Sequence, residues 1–224
     1  TTLGGAVNLS GNLAFTGNDL TVNDVANLGG DLTFTGHDLA VNAAANVGGT
    51  TTITNAGTFS TLALGDITST GAFTQNGVGS NTLAGDITTG NADISFQSAV
   101  TLAGDLAMST GTGAGNVTFS GTVDSAVDGN LDTLAHDLTI SSGTGGVSFS
   151  AALGNVAALG DLTVNSGGQT LFSQTVTAAS VLTDAAGSVR LDGGSVTTTG
   201  TQQYLENLTL GADTTLTGTT ITTG

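Results

Sequence analysis

Gly11–Gly29 reads GNLAFTGNDLTVNDVANLG and Gly30–Gly48 reads GDLTFTGHDLAVNAAANVG. Laid one on the other at an offset of 19 residues, they place Leu13 on Leu32, Phe15 on Phe34, Leu20 on Leu39, Val22 on Val41 and Leu28 on Val47. A further unit begins at Gly49 and puts Ile53 in the Phe column. Within a unit, apolar residues alternate with polar ones in three short runs: Leu13/Phe15, Leu20/Val22 and Val25/Leu28. Period two is the signature of a half-buried strand. Gly, Asn and Asp between the runs supply turns. Three short strands per repeat, with corners between them, describe one coil of a parallel β-helix. A single coil cannot bury its own apolar face, so it is stable only when stacked on its neighbours.

Outward from this pair the pattern continues with looser spacing. Gly65-Asp66-Ile67, Gly85-Asp86-Ile87 and Gly104-Asp105-Leu106 read as successive unit starts. Val117-Thr118-Phe119-Ser120 recurs as Val147-Ser148-Phe149-Ser150 and in part as Thr170-Leu171-Phe172-Ser173, and Asp137-Leu138-Thr139-Ile140 recurs as Asp161-Leu162-Thr163-Val164. The long interval from Phe119 to Phe149 implies surplus chain, placed at Ala126 to Asp132 as a loop protruding from one coil. The expected fold is therefore all-β: one right-handed parallel β-helix (a β-solenoid) over residues 1–224, with about 19–23 residues per coil. About eleven coils at the ~4.8 Å strand spacing give a rod on the order of 50 Å long. Its open ends are unpaired strand edges, and the chain reads as a segment of a longer repetitive rod.

Composition agrees and excludes several functions. The 224 residues include 36 Gly, no Pro and no Cys, and one Lys or Arg against 17 Asp or Glu, for a formal charge of −16. Absence of Pro suits unbroken backbone ladders. One cation cannot neutralise a phosphate backbone or dock on an anionic membrane, so nucleic acid is not an expected partner. Without Cys there is no disulfide framework or thiolate metal site. No apolar run of about 18 residues is present, so membrane insertion is not expected.

The stretch Gly187–Gly224, GSVRLDGGSVTTTGTQQYLENLTLGADTTLTGTTITTG, resembles the repeats of very large secreted bacterial surface proteins of the filamentous-haemagglutinin-like kind, exported by two-partner secretion or as autotransporters. The upstream GDLTV-type units resemble the same repeats. The resemblance implies a right-handed β-helical shaft at the bacterial cell surface or in a secreted fibre, serving adhesion, aggregation or matrix formation. Its implied partners are further copies or coils of its own kind, end to end, and cell-surface or matrix components.

Residues that could carry chemistry are few. Arg190 reads as an outward strand residue between inward Val189 and Leu191. Seven of the sixteen Asp residues follow Gly or Asn at corners, and no spacing singles out a hydrolase pair, so no catalytic residue is assigned and the chain is not expected to be an enzyme. His37 and His136 share a His-Asp-Leu context, and Asn18 replaces His37 one unit earlier, as expected of a turn residue. Asp31, Asp66, Asp86, Asp105 and Asp161 are expected at similar repeat positions, where a calcium ion would relieve their repulsion. Turn capping accounts for them without an ion, and no cofactor is expected. Thr33, Thr35, Thr52, Thr54, Thr68 and Thr70 form Thr-x-Thr pairs expected on one face. Such a face resembles that of ice-binding β-solenoids, an alternative to the structural role. A carbohydrate-binding or carbohydrate-active β-helix is a more distant alternative.

Overall fold

The computed structural model describes residues 1–127 and 135–224. Among them are thirty β-strands and no helix. All strand pairs are parallel and join strands of successive coils, building three sheets of 7, 13 and 10 strands. The molecule is a three-sheet β-solenoid of about 11 turns.

The first sheet includes Leu20–Val22 and Leu39–Val41, the second Ala26–Leu28 and Ala45–Val47, and the third Leu13–Thr16 and Leu32–Gly36. The anticipated register holds: Leu13 pairs with Leu32, Phe15 with Phe34, Leu20 with Leu39 and Leu28 with Val47. One inward assignment differs. Ala26, not Val25, faces the interior with Leu28, and Val25 is 36% exposed. Alternation counted back from Leu28 selects Ala26.

Inward side chains form ladders parallel to the rod axis. One apolar cluster runs from Leu20 to Tyr204. In the third sheet Phe96, Phe119, Phe149 and Phe172 stack nearly parallel, with successive ring centroids 5.6, 5.3 and 5.2 Å apart. Phe15 and Phe34 form a second stack at 5.5 Å. Between the two stacks the column holds Ile53 and Gln75. The buried Gln75 amide donates to Asn55 Oδ1 at 2.7 Å and to the Gly77 carbonyl at 2.9 Å. Its Oε1 accepts the N–H groups of Gln97 and Ser98, both at 3.2 Å. A polar group thus occupies the core only because both ends of its amide are bonded to adjacent coils.

Coil length varies more than the repeats suggest. Third-sheet partners are 19 residues apart at Phe15–Phe34, 23 at Phe96–Phe119 and 30 at Phe119–Phe149. The extra residues enter between Ser125, paired with Leu102, and Leu138, paired with Leu106. The expected loop at Ala126 to Asp132 lies, from Asp128 onward, outside the described residues. Beyond it the corner between the first two sheets opens out. The eight-residue strand Val176–Thr183 pairs through Val176–Ala178 with Val196–Thr198 and through Val181–Thr183 with Gln202–Tyr204.

The expected alignment of Gly85-Asp86-Ile87 with Gly104-Asp105-Leu106 is not what forms. Ile87 pairs with Met108, and Leu106 begins a new inward column continued by Leu138 and Leu162. A shift of two residues keeps every side chain on its original face, so core burial does not oppose it.

Candidate functional site

Strands this short leave function to their outward residues and corners. The third sheet carries Thr33 over Thr52 and Thr35 over Thr54, outward between the inward Leu32, Phe34 and Ile53. The next coil adds Thr74 above Thr52 and Asn76, whose Oδ1 accepts a hydrogen bond from Thr54 Oγ1 at 2.5 Å. Thr68 and Thr70 do not join this face. Thr68 belongs to the second sheet, between Asn46 and Thr88, and Thr70 follows the same strand, its N–H donating to the Val47 carbonyl. The Thr-x-Thr array is two complete pairs on adjacent coils, with Thr16 below and Thr74 above as half pairs.

The second sheet presents an amide ladder instead. Asn27 Nδ2 donates to Asn8 Oδ1 at 2.8 Å, and Asn46 Nδ2 donates to Asn27 Oδ1 at 2.9 Å. A matching rung joins Asn42 to Asn23 at 2.7 Å. Identical amides at the coil spacing bond along the axis, as in other stacked β structures. Asn8, Asn27, Asn46 and Thr68 border a shallow open concavity of about 610 Å³.

The five Gly-Asp carboxylates occupy more than one column. Asp31 precedes the third sheet, where its Oδ1 accepts the Thr50 N–H at 2.8 Å. The others precede the second sheet in two columns offset by the two-residue shift. In one, Asp66 accepts the Asp86 N–H at 2.9 Å and Asp86 accepts the Ala107 N–H at 2.8 Å. In the other, Asp105 accepts the Asp137 N–H at 3.0 Å and Asp137 accepts the Asp161 N–H at 2.7 Å. All of these carboxylates but Asp161 therefore cap a backbone donor one coil on; Asp161 instead accepts the Ser180 hydroxyl at 2.7 Å. This geometry gives the corner Asp residues a structural task that needs no ion.

Arg190 points outward between buried Val189 and Leu191. Its Nε donates to Asp192 at 2.8 and 3.1 Å. His37 lies over the corner formed by Asn18 and Asp19, with its N–H donating to the Asn18 carbonyl. Its Nδ1 is 3.0 Å from Asp38 Oδ1 and 3.9 Å from Asp19 Oδ1. The Thr58 N–H, donating to Asp38, holds the Asp38 carboxyl below the usual carboxylate range. Sequence reasoning missed this grouping because Asp19 and His37 meet only through coil stacking. The 19-residue offset already noted was the signal that could have found it.

A buried carboxyl lies near the C-terminal coils. Glu206 is 5% exposed and accepts the Thr183 hydroxyl at 2.8 Å. Burial pushes its carboxyl above the usual range, and the charge of Asp184 adds to the shift. Comparison of the chain with protein-family models, with curated proteins and with solved structures gives no match.

Proposed function

We propose that the chain is a non-catalytic structural shaft of an extracellular bacterial adhesin, surface filament or matrix fibre. The observation that carries this reading is the continuity of parallel ladders through about 11 coils. Successive coils are bonded by backbone hydrogen bonds directed along the rod, and stacked rings, aliphatic columns, amide rungs or carboxylate caps add to individual junctions. Stability of that kind grows with each added coil, which suits a spacer whose task is length. The net charge of −16 opposes lateral clumping at low salt. Trypsin-like proteases are offered one basic residue, Arg190.

Immuno-electron microscopy of the native source, with an antibody against this chain, tests the proposal. Label along thin filaments outside the cell supports it. Label confined to the cell interior, or to discrete globular particles, contradicts it. Ice binding is the second reading, favoured by the Thr33/Thr35 and Thr52/Thr54 pairs standing in register. It requires thermal hysteresis, and none at high protein concentration removes it.

A further inference from the structure

We propose that the corner formed by Asp19, His37 and Asp38 is a site for one divalent cation of the zinc class. Three ligand atoms converge there from two successive coils: Asp19 Oδ1 from the lower, His37 Nδ1 and Asp38 Oδ1 from the upper. All three lie within 4.8 Å of one another, with Nδ1 3.0 Å from Asp38 Oδ1 and 3.9 Å from Asp19 Oδ1. A tetrahedral zinc ion with bonds of about 2.0–2.1 Å needs donors roughly 3.3 Å apart. Small side-chain rotations bring the three atoms to that spacing. The fourth position faces solvent, since the His37 and Asp38 side chains are 57% and 48% exposed.

The chemistry of the set selects the ion. One imidazole nitrogen with two carboxylate oxygens suits zinc, nickel or copper, whereas calcium and magnesium favour all-oxygen surroundings. Surrounding bonds orient the ligands. Asn18 Nδ2 donates to Asp19 Oδ2 at 2.9 Å, and the Thr58 N–H donates to Asp38 Oδ1 at 2.6 Å. Each carboxylate oxygen retains a lone pair for a metal.

The coil above leaves room for the ion. Gly57 stacks on His37, its N–H donating to the His37 carbonyl at 2.8 Å. A Cβ at position 57 would lie 2.2 Å from Asp38 Oδ1 and 2.5 Å from His37 Nδ1. Glycine leaves that space open, as Gly160 does over Asp137 at the other His-Asp corner, so the clearance permits a cation and the convergence of ligand atoms distinguishes the site. The other His-Asp corner makes the contrast. His136 Nδ1 is 3.7 Å from Asp105 Oδ1, but among the described residues three ligand atoms converge within 4.8 Å only at Asp19, His37 and Asp38.

Isothermal titration of the full chain with zinc chloride in a non-chelating buffer is the test, with NMR of the imidazole carbon protons to identify the ligand. The expected result is one equivalent bound and a shift of the His37 resonances ahead of those of His136. His37→Asn, which places at this corner the residue found one coil below, is expected to weaken binding about tenfold or more. Asp19→Asn weakens it in the same direction, and His136→Asn leaves it unchanged. Circular dichroism confirms that each variant is folded. The proposal is overturned by an adventitious ion only: no zinc bound, or weak uptake at several sites that is the same in His37→Asn as in the parent chain.

Discussion

Truncating Phe119 to alanine tests the claim that stacked rings hold neighbouring coils together. Phe119 is 1% exposed and lies between Phe96 at 5.6 Å and Phe149 at 5.3 Å, nearly parallel to both. Removing a buried Phe costs about 3–5 kcal/mol in transfer and cavity terms. Losing a ring on each face places this site toward the top of that range, so about 4 kcal/mol is expected. Phe15 is the internal comparison. It is half-buried and stacks on one ring, so Phe15→Ala should cost about 1–2 kcal/mol. Urea unfolding followed by far-ultraviolet circular dichroism measures both. A solenoid couples each coil only to its neighbours, so Phe119→Ala should also broaden or split the transition as the coils on either side unfold separately. A loss below about 1 kcal/mol with an unchanged transition would refute the reasoning.

Three further outcomes follow from buried or stacked polar groups. Thr170 is buried between Val147 and Val189, and its hydroxyl has no hydrogen-bond partner. Thr170→Val should therefore stabilise the chain by about 1 kcal/mol, and destabilisation in the same urea assay would contradict that assignment. Asn27 is the middle rung of the exposed amide ladder, so Asn27→Ala should cost about 1 kcal/mol, whereas no change would mean the ladder contributes nothing. Glu206 has a carboxyl pKa raised by burial, so between the usual carboxylate range and that raised value the folded chain holds a proton that the unfolded chain releases. Stability should accordingly fall as pH rises through that window. Glu206→Gln should flatten the dependence and raise stability at neutral pH, and a parent chain whose stability is unaltered across the window would contradict it.

The parts of the fold legible in sequence were those where two adjacent coils share both length and residue type. Leu13, Phe15, Leu20 and Leu28 found their partners because both units span 19 residues. The ladder Phe119–Phe149–Phe172 was equally readable, since aromatic residues are rare enough to mark a column despite unequal spacing. Thr68 and Thr70 were misplaced for a physical reason. Ile67-Thr68-Ser69 and Phe73-Thr74-Gln75 have the same inward-outward alternation, so the pattern does not say which sheet a strand joins. Only the lengthening of that coil decides it. The shift at Leu106 was hidden likewise, because Leu106 and Met108 both face inward and either satisfies the core. Of the corner chemistry, the capping role of Asp was visible from its place after Gly. Its bonding to the next coil's N–H, and the meeting of Asp19 with His37, depend on axial stacking that a linear reading does not display.

The central claim, a rod built by regular coil stacking, is tested most directly by distances along one outward column. The chain has no cysteine, so spin labels can be placed on introduced cysteine pairs without background. Thr33 and Thr118 stand four coils apart in the third sheet, and Thr33 and Leu171 six. At ~4.8 Å per coil the backbone separations are about 19 and 29 Å. Electron–electron resonance on Thr33→Cys/Thr118→Cys and Thr33→Cys/Leu171→Cys should give narrow distributions whose centres differ by about 10 Å. Broad distributions, or separations that do not grow with coil number, would contradict the solenoid.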